Sequence, residues 1–212
     1  MSIILQNIRP TYMSEHELKN SDVYEKNNIV FEKNKKYLIK ANSGKGKSSL
    51  LNFIYGNNTN FSGKILYNES PINDIFELRK SKISYVFQDL KLFPSLTLFE
   101  NIQLKNKITD NKKIEEINNL IELVSLSHKR DSLVSTLSFG QRQRVAVIRA
   151  LCQPFEYILL DEPFSHLDTD NTKIIIKILL EEVNKQNACI IMTSLGSLAE
   201  TKLLTFDKVL NL

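Results

Sequence analysis

The sequence predicts an α/β domain with a block of helices inserted between about residues 89 and 150. Three observations carry that prediction. Tyr37-Leu38-Ile39-Lys40-Ala41 reads as a compact strand, leads into a glycine-bearing turn and is followed by a helical pattern from Lys47 to Tyr55. Tyr157-Ile158-Leu159-Leu160 is apolar at four successive positions, as in a strand buried on both faces of a sheet. Between these two segments the spacing turns helical, with Ile114, Ile117, Leu120, Ile121 and Val124 on one face.

In order along the chain, residues 2–8 and 28–32 read as short strands flanking a polar stretch, and Gly63–Tyr67 and Ile83–Phe87 as two more. Asn57-Asn58-Thr59-Asn60 is a loop. Helices are expected over 97–105, 111–125 and Gly140–Cys152, the last bounded by Pro154. A long helix over about 169–186, a strand from Ala188 to Thr193 and a short strand pair near the C-terminus complete the chain. No internal repeat or low-complexity linker divides it, so the 212 residues form one domain.

Composition excludes several classes. A hydrophobic fraction of 42% with few Gly and Pro is that of a folded globular chain. The net charge of +4 is spread without a basic stripe, which argues against nucleic acid as a partner. The longest apolar stretch, Ile174 to Leu180, is broken by Lys177 and is too short to cross a bilayer. The first seven residues lack the basic end and apolar run of an export signal. Cys152 and Cys189 then read as buried free thiols of a cytoplasmic protein.

The chemistry begins at Ala41-Asn42-Ser43-Gly44-Lys45-Gly46-Lys47-Ser48. A glycine-bearing loop between a strand and a helix is the setting of a Walker A phosphate loop. Backbone amides and the helix N-terminus cradle phosphates, Lys47 reaches the terminal phosphates, and the Ser48 hydroxyl is an oxygen ligand for Mg²⁺. The strict pattern has Gly where this chain has Ala41. Asp161-Glu162-Pro163 ends the buried apolar strand, where a carboxylate faces the ligand crevice of an α/β sheet. There Asp161 can hold Mg²⁺, directly or through water, and Glu162 can polarise an attacking water as general base.

Leu137-Ser138-Phe139-Gly140-Gln141-Arg142-Gln143-Arg144 resembles the signature of the ATP-binding cassette (ABC) ATPases, in which a serine, two glycines and a glutamine precede Arg-Gln-Arg. The order of motifs is also that family's: Walker A, Gln88 as the Q-loop glutamine, signature, Walker B, and Ser165-His166-Leu167-Asp168 as the D-loop. The resemblance covers nearly the whole chain. It implies a P-loop NTPase with a RecA-like core sheet, an N-terminal antiparallel β part and the helical subdomain over 89–150. It further implies ATP and Mg²⁺ as cofactors and a dimer in which Ser138, Gly140 and Gln141 of one chain cap ATP held by Asn42–Ser48 of the other. Ser49 would touch the α-phosphate and Tyr12 stack on adenine, with Tyr24 the competing aromatic. Gln88 would sense Mg²⁺ and the attacking water, so that Glu162, Gln88 and Lys47 form the catalytic set and Ser48, Gln88 and Asp161 the metal set. Asp168 would reach across the dimer.

Two departures bear on activity. Phe139 stands where the signature has its first glycine, adding bulk in a backbone position where positive φ would be strained. Ser194 stands where the family has a switch histidine after the strand ending at Thr193. None of His16, His128 and His166 falls there, which predicts slow hydrolysis.

The expected function is the ATPase subunit of an ABC transporter, a homodimer working with a separate integral membrane permease and lying at the inner face of the cell membrane. The wording of residues 89–104 is nearest the lipoprotein-release and macrolide-export branch. The alternative is a non-transport ABC switch that uses ATP binding with slow hydrolysis to regulate a membrane partner.

Overall fold

Eight strands sort into two sheets in the computed structural model, which describes residues 1–195 and 203–212. β1 (Ile3–Pro10), β2 (Asn28–Phe31) and β4 (Phe61–Tyr67) form an antiparallel sheet in the order β2-β1-β4. β3 (Lys36–Lys40), β5 (Ile83–Val86), β6 (Tyr157–Asp161), β7 (Cys189–Ser194) and β8 (Lys208–Asn211) form the second sheet, in the order β5-β6-β7-β3-β8. Every pairing in that second sheet is parallel. One strand of the C-terminal pair expected from the sequence, β8, is among the described residues; residues 196–202 lie outside them.

The parallel sheet is a wall between two cores, and its strands alternate strictly. Leu38, Val86, Ile158, Leu160, Ile190 and Met192 face one core. Ile39, Tyr85, Tyr157, Leu159, Cys189 and Ile191 face the other. This is the period-2 geometry of a strand covered on both sides, and it explains why Tyr157–Leu160 is apolar throughout. The second core also holds Ile3, Leu5 and Phe31 of the antiparallel sheet. β1 and β4 shift register between Gln6 and Arg9, where Asn7 takes φ 50°. Gly63 answers this bulge at φ +94°, since a Cβ there would run into the carbonyls of Gln6 and Asn7.

The longer helices match the sequence reading with shifted ends. α2 (Lys47–Ile54) follows the glycine-bearing loop; α4 (Leu98–Thr109), α5 (Ile114–Leu123) and α6 (Phe139–Leu151) lie between β5 and β6; α7 (Thr169–Gln186) follows β6. Thr97 caps α4 and Ser138 caps α6, each in a reciprocal box with the residue three positions on. Two single-turn helices, α1 (Glu15–Leu18) and α3 (Ile75–Glu77), and a widened turn over Leu78–Lys82 escape sequence reading because they are too short to show a period. No described helix is long and apolar enough to cross a membrane.

Candidate functional site

β3, β6 and β7 bring their carboxyl ends together, and the loops leaving them converge there. Ala41 N–H donates to the Ser194 carbonyl at 3.4 Å, tying the loop after β3 to the end of β7. Residues 42–45 are exposed, and Gly44 and Gly46 hold φ +79° and +82°. At Gly46 the φ of +82° is what favours glycine at this helix start, and a Cβ there would in addition displace the flexible end of Met13, 2.6 Å away. Gly46 is the N-cap of α2 and supplies no side-chain cap, which leaves the first-turn amides of the helix available to an anion. Ala41 is not among the residues with left-handed backbone. The alanine therefore carries no strain, because the position does not need glycine's freedom.

Lys47 is buried, and its ammonium group donates to the carbonyls of Ala41 (2.8 Å) and Asn42 (3.1 Å). It also pairs with Glu162 Oε1 at 3.2 Å. Tyr12, Ser43, Gly44, Gly46, Lys47, Ser48, Ser49, Gln88 and Glu162 line one cavity of about 200 Å³. Tyr12 is exposed at its rim. Tyr24 is buried instead and donates its hydroxyl to the Gly46 carbonyl at 3.2 Å, which makes it a support of the loop and leaves its ring no free face.

Ser48 Oγ donates to Gln88 Oε1 at 3.3 Å. Both line a neighbouring cavity with Asp161, so a hydroxyl, an amide oxygen and a carboxylate converge on one place. Such an all-oxygen set suits Mg²⁺, which takes few protein ligands and leaves positions for phosphate and water. Among the described residues no group of three or more His, Cys, Asp or Glu gathers into a metal cage.

Sequence reading missed Thr193. Its hydroxyl, fully buried, donates to Asp161 Oδ1 at 2.7 Å and accepts from the Glu162 amide at 3.1 Å. One threonine thus holds the carboxylate of Asp161 and the backbone of Glu162. Burial pushes the Asp161 pKa up, and the bond from Thr193 opposes that shift. Glu162 stands at φ 49°, an uncommon conformation for a non-glycine residue. Its carbonyl accepts from Gln143 Nε2 (3.3 Å) and Ser165 Oγ (3.1 Å), so the surroundings hold the backbone in this state. A threonine ending a strand carries no pattern that reveals this role.

Ser138, Gly140 and Gln141 do not line the cavity at Lys47. They start α6, where Gln141 N–H donates to Ser138 Oγ (3.3 Å) and Ser138 N–H to Gln141 Oε1 (2.9 Å). The serine hydroxyl accepts in that box, and its own proton stays available to an outside acceptor. Phe139 is the first residue of the helix and has no positive φ, so the backbone strain expected of it does not arise. Its ring meets His166 edge-on at 4.2 Å between centroids. The two unusual residues of the signature and the D-loop are therefore partners. Asp168 caps α7, accepting from Asn171 N–H at 2.8 Å. Ser194 is fully buried at the end of β7, and its Oγ has no hydrogen-bond partner among the described residues.

Known proteins share this fold. The family model for ABC transporters matches residues 24–165. An uncharacterized ABC transporter ATP-binding protein of Bacillus subtilis (strain 168), YclH, is 32% identical over 182 residues, covering 83% of this chain and 80% of that protein. Among solved structures, the dimeric bacterial ABC transporter cassette MJ0796 superposes with a TM-score of 0.80 at 26% identity, over 99% of this chain and 94% of that one. A post-hydrolysis dimer of the same cassette, bound to ADP and Pi, gives 0.79 at the same identity and coverage. A putative ABC transporter ATP-binding protein from Pyrococcus furiosus shares the fold at a TM-score of 0.75 and 21% identity, over 100% of this chain and 98% of that one. With the phosphate loop, the two carboxylates and the capped signature helix in place on that fold, the chain belongs to the ATP-binding proteins of the ABC transporter family.

Proposed function

We propose that this chain binds and hydrolyses ATP as one half of a dimer and drives a separate integral membrane permease, in an exporter-type or lipoprotein-release-type system. The observation that carries the reading is the convergence of Lys47, Ser48, Gln88, Asp161 and Glu162 around two adjoining cavities at the carboxyl edge of the parallel sheet. In this reading the amides of residues 43–48 hold the β- and γ-phosphates, Lys47 neutralises them, Ser49 meets the α-phosphate and Tyr12 stacks on the base. Mg²⁺ held by Ser48, Gln88 and Asp161 would supply charge stabilisation to the phosphates. Glu162 accepts a proton from the attacking water once Lys47 turns to the nucleotide. The free proton of Ser138 and the first amides of α6 meet the γ-phosphate of the opposing chain.

Exposed apolar side chains support a partner next to Gln88. Phe93, Leu104 and Ile108 stand out of the surface around a cavity of about 200 Å³ floored by Tyr55 and Phe87. A permease segment seated there would press on Phe87, the chain neighbour of Gln88.

Steady-state hydrolysis by the purified chain beside Glu162→Gln tests the reading. The native chain should turn over ATP, and Glu162→Gln should lose at least 100-fold, about the weight of a general base, while still binding nucleotide. Equal rates in the two proteins would remove Glu162 from the mechanism. A second reading, a binding-driven switch, draws on Ser194: a short, fully buried hydroxyl cannot do the work of an imidazole at the γ-phosphate. It predicts ATP-driven dimerisation with turnover well below the roughly 1 per second of ordinary enzymes, with or without the membrane partner.

A further inference from the structure

The cavity beside the phosphate loop, about 530 Å³, is bounded by Ser48, Gln88 and Asp161 on one side and by Asn52, Asn57 and Tyr85 on another. Tyr85 is not part of any motif that the sequence displays. It lies on β5 opposite Leu159 of β6, and so on the same sheet face as Leu159 and as Asp161 two residues later. A diagonal pair across adjacent strands is within reach of an aromatic side chain.

The ring of Tyr85 is fixed. It stacks on Phe87 with centroids 3.9 Å apart and meets the Tyr55 ring edge-on at 5.2 Å. The residue is 6% exposed, and its hydroxyl has no hydrogen-bond partner among the described residues. A buried, unpaired hydroxyl is costly, and phenylalanine would fill the same space without that cost. A phenol is protonated at neutral pH, so the group enters the cavity it shares with Asp161 as a donor. Thr193 already serves one oxygen of Asp161. A cavity with this many polar walls also accommodates a bridging water.

We propose that Tyr85 is a positioning residue for the metal-bearing carboxylate: its hydroxyl, directly or through one water, donates to Asp161 and keeps it turned toward Ser48 and Gln88, aligned for a divalent cation. The inference rests on the reading that Asp161 faces Mg²⁺. Tyr85→Phe keeps the stacked ring and removes the hydroxyl alone.

The test uses Mn²⁺ as the probe, titrated by electron paramagnetic resonance into the full chain saturated with a non-hydrolysable ATP analogue. Tyr85→Phe should weaken Mn²⁺ about tenfold, or about 1.4 kcal/mol. Affinity for the analogue in the presence of a chelator should stay at the native value, as should the metal-free melting temperature. Native Mn²⁺ affinity with a raised melting temperature would mark the hydroxyl as a mere buried orphan and overturn the proposal. Equal losses with and without metal would overturn it too, because Tyr85 would then be shaping the pocket. Asp161→Asn separates the two levels of the argument. If it leaves Mn²⁺ affinity intact, the reading of Asp161 itself fails; if it lowers affinity while Tyr85→Phe does not, only the role of Tyr85 falls.

Discussion

Replacing Thr193 with valine preserves shape and removes one hydroxyl from the centre of the site. In the native structure that hydroxyl donates to Asp161 Oδ1 at 2.7 Å and accepts from the Glu162 amide at 3.1 Å, with no solvent access. A hydrogen bond to a charged acceptor contributes about 1.5–3 kcal/mol, and an amide left buried without a partner costs about 1–3 kcal/mol. The two losses share one group, so the expected penalty at neutral pH is about 3 kcal/mol. At roughly 2–4 °C per kcal/mol for a chain of this size, the melting temperature should fall by about 6–12 °C.

The penalty should also depend on pH. Asp161 has a folded pKa above its ordinary value of 3.8, chiefly through burial. A raised carboxyl binds its proton more tightly when folded, so its own contribution to stability falls as pH climbs from the unfolded value through the folded one. Removing a donor to the carboxylate raises the folded pKa further. The deficit of Thr193→Val is then full above the variant's folded pKa and shrinks as pH falls from there through the native protein's own raised folded pKa. Urea unfolding of both proteins from pH 7.5 downward reads this directly. A deficit under about 0.5 kcal/mol at pH 7.5, or one that does not change with pH, would show that the threonine does not serve an ionised Asp161.

Three further outcomes follow from contacts elsewhere. Glu156 is pushed up by burial, but bonds from Lys33, Lys82 and the Met1 amine outweigh that and hold its pKa at about 2. Its contribution is full above the unfolded value of 4.5 and is lost as pH falls toward 2; Glu156→Gln should flatten acid unfolding in that window and, with solvent screening, cost only about 1 kcal/mol at pH 7, measured by urea titration. Phe139→Ala, His166→Ala and the double variant should give a coupling energy of about 0.5–1 kcal/mol for the edge-on pair, and additive unfolding energies would deny that the rings interact. Gly46→Ala should abolish nucleotide binding in a fluorescent-analogue assay, since its φ of +82° resists a Cβ and the flexible end of Met13 would have to move; binding within threefold of native would contradict the geometry of the loop.

How much of this was legible depended on whether a residue's role is local. The loop over 41–48 reads correctly because a strand, a turn and a helix start are contiguous in the chain, and they recur as β3, Gly44–Gly46 and α2. Tyr157–Leu160 reads correctly because burial on both faces leaves no polar alternation to confuse it. Thr193 and Tyr85 were hidden because their partners lie on other strands, and pairing register is invisible in a single sequence; the support Tyr24 gives the loop was hidden because it is a contact to the Gly46 carbonyl that folding alone brings close. The meeting of Phe139 and His166 was hidden for the same reason, since it depends on how α6 packs against the turn after β6. Strain at Phe139 was an expectation borrowed from the glycine usually found there. The structure removes it by making Phe139 an ordinary first residue of a helix.

The anchorage of α6 has a mechanical meaning. Gln143 holds the Glu162 carbonyl, Arg144 holds Asn171 at 2.9 Å, and a Cβ on Gly140 would lie 2.9 Å from the His166 carbonyl. The start of this helix is therefore bolted to the segment that carries Glu162. On the far side, Arg149 clasps the carbonyls of Leu90 and Lys91 at 2.7 Å, while Gln88 itself meets Ser48 through one 3.3 Å bond. The helical block behaves like a door hung on α6, with its latch at Gln88. A shift of α6 would be felt at the backbone of Glu162, whereas Gln88 would part from Ser48 by losing one hydrogen bond. A displacement of the outer helices would thus reach one carboxylate through the backbone that carries it.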